Sequence, residues 1–280
     1  MCEAVPAIQS DSFFSMALLD DACALWRARA LVAVMTRREI SARYAGAAGG
    51  IAWAYVQPLL TVAAYFLVFD VVFAMRLGEN APTHRVGAYL IVGSLPWMAF
   101  CDTIGRTMNS LLDAGSVLQK NALPPVLFVA RSALASSMVY APLILLLAVG
   151  YIPSHHFSIA LLALLPLLAL QLMLCLVLGY LLAILAAALR DTVQVVGFLL
   201  SVGIFLSPVL FPMTLFPAAW RWVLYLNPMT PLVLGYQNVL LQGAWPEWTT
   251  WAGAGAWWLV ATALLALAVR RSREQLVDWL

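Results

Sequence analysis

Apolar residues fall along this chain in six long runs: Ile51–Met75, Val86–Leu112, Val126–Gly150, Ile159–Leu189, Val193–Phe211 and Trp248–Val269. Each is close to or above the roughly 20 residues that a helix needs to cross a hydrocarbon core. The pattern therefore predicts an all-α integral membrane protein of six spans. The fourth run is long enough to imply a tilt or a kink at Pro166. Ahead of the first run, Leu18, Ala22, Leu25, Ala28, Val32 and Met35 recur at three- and four-residue steps, the mark of an amphipathic helix. With Trp26 and its neighbouring arginines, that helix is expected along the inner membrane surface, the alternative being a soluble cap. The small residues Gly46–Gly50 then let the chain turn into the bilayer.

The polar positions between the runs give an orientation. Arg27, Arg29, Arg37, Arg38, Arg43, Lys120, Arg190, Arg270, Arg271 and Arg273 fall on one side of a six-span chain, against Arg76, Arg85 and Arg221 on the other. Ten against three places both termini in the cytoplasm. Composition agrees: of 280 residues, 64% are hydrophobic and 10% charged, too few charges for a soluble domain with one anchor. The opening MCEAVPAIQSDSFF has no basic stretch followed by an apolar one, so a cleaved signal peptide is not expected. Cys2, Cys23, Cys101 and Cys175 are far apart and lack metal spacing, and read as small apolar fillers.

The pattern breaks after the fifth run. Pro208, Pro212, Pro217, Pro228 and Pro231 divide the chain into pieces too short to span. A segment that emerges, breaks and re-enters as two half-helices suggests a pore mouth, because irregular backbone at membrane depth needs protein or a water-filled cavity around it. Trp220, Trp222, Tyr225 and Trp245 read as an outer interfacial belt.

Few residues offer chemistry. Between the second and third runs, Asp113 is a plausible N-cap for a short helix through Asn121, which Pro124 and Pro125 end. Such a helix either takes a push from a soluble motor or is an ordinary loop packed on headgroups. Lys120 is the only lysine and follows Gln119, so no GxxxxGK[ST] phosphate loop exists here and any nucleotide must bind another polypeptide. Asp102 and Arg106 stand four apart near the inner end of the second span, either as a structural ion pair or as a gate. Asp70 reads as reaching the outer interface. Trp53, Tyr55, Tyr65, Phe66 and Phe69 in the first span, with Phe198 and Phe205 in the fifth, suit either a sugar-conducting lining or ordinary packing. His84, His155 and His156 have no ligand-spaced partners, and no nucleophile–base pair or acidic metal motif appears, so no catalytic, cofactor or metal site is expected.

Four stretches carry a resemblance. TRREISARYAGAAGGIAWAYVQPLL (Thr36–Leu60), VGSLPWMAFCDTIGRTMNSLL (Val92–Leu112), LRDTVQVVGFLLSVGIFLSPVLFP (Leu189–Pro212) and LNPMTPLVLGYQNVLL (Leu226–Leu241), in that order, resemble the permease subunit of type-2 ABC exporters of the polysaccharide and polyol-phosphate branch. The resemblance implies a homodimer of six-span subunits with two copies of a cytoplasmic ATPase, which would bind ATP and magnesium. It implies a coupling helix at Asp113–Leu123, with Ser116, Val117, Leu118, Gln119, Lys120 and Asn121 at its centre. It implies an interfacial gate helix at Ala17–Tyr44 bearing Trp26, Arg37, Arg38 and Arg43. Outer half-helices would lie in Phe216–Gln242, with Trp220, Arg221, Tyr225, Asn227 and Pro228, and the first and fifth spans would line the channel. Two departures stand out: about a dozen extra N-terminal residues, and a coupling stretch whose basic residues are reduced to Lys120.

The organisation expected is a cytoplasmic segment with the interfacial helix at 1–45, a six-span domain at 46–270 and a cytoplasmic tail at 271–280. The function expected is ATP-driven export of a lipid-linked, O-antigen-like glycan across a bacterial inner membrane, with membrane lipids and no nucleic acid as further partners. Capsular, teichoic-acid or drug export by the same family is the alternative. An ion-coupled transporter would show inverted repeats and midplane acids, and a membrane glycosyltransferase a carboxylate cluster at a membrane face. Neither signature appears.

Overall fold

The computed structural model describes residues 10–74, 76–77, 82–121, 123–155, 158–272 and 275–279, which are helical with no strand among them. Expectations made for Cys2, Met75, His156 and Arg273 fall outside these residues. In chain order the helices are α1 (Ser10–Arg27), α2 (Arg29–Arg43), α3 (Ala52–Tyr65, continuing as a π-helix over Phe66–Val72), α4 (Val86–Asp113) and α5 (Gly115–Lys120). There follow α6 (Val126–His155), α7 (Leu164–Ala188), α8 (Thr192–Gly203), α9 (Arg221–Leu224), α10 (Thr230–Gln242), α11 (Trp248–Ser272) and α12 (Leu276–Trp279).

Five of these segments are long and apolar enough to cross a membrane: 52–72, 86–113, 126–150, 159–188 and 248–272. The run expected as a fifth span behaves differently. Only Thr192–Gly203 is helical, about 18 Å at 1.5 Å per residue, and the chain then turns irregularly toward Phe211. Pro208 and Pro212 each lack an amide proton, so the helical ladder does not continue through them.

Helix α4 is the axis of the bundle, packed by α6, α7 and α10, with the π-helical end of α3 against its first turns. Small residues allow the closest approaches. A Cβ on Gly179 of α7 would stand 2.6 Å from Thr107 Cβ on α4, and one on Gly93 would stand 3.1 Å from Val209 Cα. Tight backbone approach at small residues is how helices associate where lipid offers no hydrophobic drive.

Three local expectations are corrected. The 159–188 segment meets Pro166 at the start of a helix rather than inside one: Ile159–Ala163 is a 3-10 turn and α7 starts at Leu164, so Pro166 sits in a first turn, where its missing N–H costs no hydrogen bond. Asp113 does not cap α5, because it is the last residue of α4; Ala114 separates the two helices and makes no side-chain cap. The amphipathic helix is two helices broken at Ala28, and its inward residues Leu25, Ala28 and Val32 pack on Leu127 and Ala130 of α6 while Ala22 faces out.

Candidate functional site

The residues singled out by the sequence occupy three places. At one end of the bundle α5 joins α4 to α6. Leu118 is buried in a cluster with Leu111, Val126 and Ile184, and Ser116, Val117, Gln119 and Lys120 face outward. Asn121 closes the helix, its backbone N–H and its side-chain Nδ2 each donating to Val117 O at 3.0 Å. One face of α5 is thus anchored to the bundle and the other is free. Helices α1 and α12 border the same cluster, with Leu18, Leu25 and Trp279 against it.

An ionic network binds α2 to α4 and α6. Arg106 Nε stands 2.8 Å from Asp102 Oδ1, and Ser136 Oγ donates to Asp102 Oδ2 at 2.6 Å. Arg43, whose side chain is 8% exposed, contacts Glu39 at 2.7 Å and Asp102 at 3.9 Å. Glu39 also receives the Ser132 hydroxyl at 2.9 Å and lies 3.2 Å from Arg131 Nε. Buried charge is tolerated only when paired and hydrogen-bonded, and each carboxylate here meets two guanidinium groups and a serine hydroxyl. Glu39, Arg131, Ser132 and Ser136 were missed by sequence reasoning. Their signal was present in the i, i+4 spacing of Glu39 to Arg43 and of Ser132 to Ser136, which sets each pair on one helical face. Of the other gate-helix residues, Arg37 and Arg38 are exposed, and Trp26 lies 71% exposed beneath the Arg29 guanidinium at 4.8 Å.

At the opposite end, side chains satisfy the broken backbone. Tyr89 Oη donates to Pro208 O at 2.6 Å and lies 3.0 Å from Phe211 O, while Gln237 Nε2 donates to Pro208 O at 2.7 Å. Asn227 Nδ2 donates to Gly203 O at 3.0 Å, at the end of α8. Of the two half-helices expected here, the first is a 3-10 turn at Ala218–Trp220 followed by the four residues of α9. The second, α10, is a full helix of 13 residues with Pro231 in its first turn and left-handed Gly243 after its end. It is buried among α4, α6, α7 and α11. Trp220, Trp222 and Tyr225 are exposed, Pro228 is half-buried, and Arg221 donates to Phe216 O.

The aromatic residues of the first and fifth runs are not gathered into a cavity by this chain. Trp53, Phe66, Phe198 and Phe205 are exposed, and Tyr55, Tyr65 and Phe69 are half-buried. Tyr65 and Phe69 stand ring to ring at 6.3 Å, and Phe69 and Phe73 repeat that spacing, forming a ladder along an open face. Asp70 is occupied in holding the start of α4, its Oδ1 accepting the Gly87 N–H at 2.9 Å.

A sequence model of the ABC-2 type transporter family matches residues 30–241, which leaves α1, α11 and α12 outside the match. The chain is 31% identical to the O-antigen export system permease protein RfbA of Myxococcus xanthus over 80% of its own length and 85% of that protein's. It is 20% identical to the protein of the same name from Klebsiella pneumoniae over 76% of this chain and 81% of that one. The polysialic acid transport protein KpsM of Escherichia coli is 23% identical over 85% of this chain and 91% of its own.

Proposed function

This chain belongs to the ABC-2 type transporter family, and on that premise we propose that it is the membrane subunit of an ATP-driven exporter that moves a lipid-linked cell-surface polysaccharide across a bacterial inner membrane. Two copies would assemble with two copies of a separate ATPase, which would bind the ATP and magnesium. The observation that carries the reading is α5: a short helix clamped between two packed spans through Leu118, with Val117, Gln119 and Lys120 free to receive a partner. A push on that outer face reaches α4 and α6 directly.

In this scheme both termini are cytoplasmic, residues 1–45 carry the interfacial helix, 46–270 form the membrane domain and 271–280 the tail. The sixth crossing is made by α8 together with the turns up to Phe211, whose carbonyls Tyr89 and Gln237 satisfy. Helices α9 and α10 form the broken outer segment, and α2 serves as the gate helix. The open aromatic faces of α3 and α8 line a channel between the two copies, which explains why one chain alone leaves them uncovered. The glycan cargo is drawn from the names of the relatives. The polysialic acid relative favours a capsular glycan as the second reading.

The test is co-purification of the ATPase with this subunit, followed by Val117→Asp. That change charges the free face of α5 without touching the buried Leu118. The complex should form, and both stimulation of ATP hydrolysis and surface glycan should disappear. Normal glycan export by that variant would refute the coupling role, and uphill transport by this subunit alone would refute the scheme. Loss of capsule rather than O-antigen on deletion would select the second reading. Tyr65→Ala or Phe66→Ala should impair glycan passage more than folding.

A further inference from the structure

Three arginines lie at the end of the bundle away from α5, where the charge rule for membrane proteins disfavours them: Arg76, Arg85 and Arg221. Arg221 is committed to its own segment, with Nε 3.1 Å from Phe216 O and a terminal nitrogen 3.4 Å from Thr214 O. The other two are placed differently. Arg76 and Arg85 oppose each other across an isolated antiparallel bridge, closed by Leu77 N–H donating to His84 O at 2.9 Å. Like charges directly opposed destabilise such a pairing. Among the described residues neither guanidinium has a carboxylate partner.

The pair opens on a cavity of about 530 Å³. Exposed Arg76, His84, Arg85 and Phe66 line it, together with Ile91 and Leu241, whose side chains are largely buried. Asp70 also borders it, its Oδ1 accepting the Gly87 N–H, so the lining sets one carboxylate against two guanidinium groups.

We propose that this cavity binds a phosphate-bearing lipid, with the phosphate between Arg76 and Arg85 and the hydrocarbon chain against the exposed Phe66 ring. Guanidinium groups match phosphate oxygens in paired, charge-assisted hydrogen bonds, and a phosphate between two of them removes their mutual repulsion. The apolar ring selects an amphiphile over free phosphate, and the cation pair selects it over a neutral sugar. A bulk phospholipid and a glycan-carrying isoprenoid diphosphate share this chemistry. The proposal rests on the export reading only for the side of the membrane that the cavity faces.

The test uses the full subunit–ATPase complex in phosphatidylcholine nanodiscs doped with either phosphatidylglycerol or a polyprenyl diphosphate. Native mass spectrometry counts the lipid retained per subunit. The wild type should retain the phosphate lipid, and Arg76→Gln with Arg85→Gln should weaken retention by about tenfold. Preference for one dopant names the source. In lipid-free detergent the double variant should melt at or above the wild-type temperature, because the like-charge contact is gone. Added phosphate lipid should then stabilise only the wild type. Equal retention by wild type and variant, or equal thermal shifts, would overturn the proposal. Retention is read without transport, so intact lipid binding with no glycan export would count against the export reading alone.

Discussion

Two spans of this chain invert the rule of soluble proteins. The first, 52–72, is the more apolar, with mean hydropathy 1.6, yet 6% of its apolar window is buried; α4, at 1.2, has 78% buried. In water the more apolar helix would take the core. In a bilayer the lipid is as apolar as leucine, so hydropathy measures fitness for lipid, and small or polar residues mark the helix that packs against protein. Helix α4 carries Ser94, Thr103, Thr107 and Ser110 in its buried positions, each hydroxyl turned back to a carbonyl of its own helix. The first span has no such series, and its open aromatic ladder offers a surface rather than a core.

The strongest way to break that contrast is to enlarge the buried side. Gly179→Leu forces a side chain against Thr107, where even a Cβ would overlap the threonine side chain. It should cost about 3 kcal/mol and remove most folded protein, as read by detergent-resistant monodispersity and thermal melting. Mild behaviour of this variant would mean that α4 and α7 are held by something other than close packing.

Next comes the ionic network. Asp102→Asn leaves Arg43 and Arg106 short of a charge in a site only partly open to water. It should cost about 2 kcal/mol and loosen α2 from α4, measurable as faster proteolysis within α2. Asp102 and Arg106 were legible in the sequence because charges four apart in a span announce themselves. Glu39, Arg131 and the two serines were not legible as partners, because their meeting depends on how α2 crosses α6. The same limit explains α8. The 19-residue run from Val193 to Phe211 reads as a span, and only the tertiary partners Tyr89, Gln237 and Asn227 show how the chain ends a helix after 12 residues without stranding its carbonyls. The N-cap assigned to Asp113 failed for a related reason: Asp113 is held as the last residue of α4, and the junction with α5 falls one residue later, on Ala114.

Tyr89→Phe tests the buried side more gently. It removes the hydroxyl donated to Pro208 O but leaves the amide of Gln237 there, so one donor remains. The expected loss is about 1 kcal/mol in thermal or denaturant unfolding. Combining it with Gln237→Leu should cost more than the two single changes added together, since only the pair leaves that carbonyl unpaired.

The smallest effect on stability sharpens the comparison most. Gly197 stands on the open face of α8, and a Cβ there would meet nothing within 4 Å. Gly197→Ala should therefore shift the unfolding of the single subunit by less than about 0.5 kcal/mol. If the open faces of α3 and α8 meet a second copy, the bulkier Gly197→Leu will leave subunit stability unchanged and still shift assembly from dimer to monomer in light scattering. If those faces meet only lipid, both variants will be silent in assembly, because lipid rearranges around an added side chain and a packed protein partner does not. A change in oligomeric state without a change in subunit stability thus separates an uncovered face from an unfinished interface.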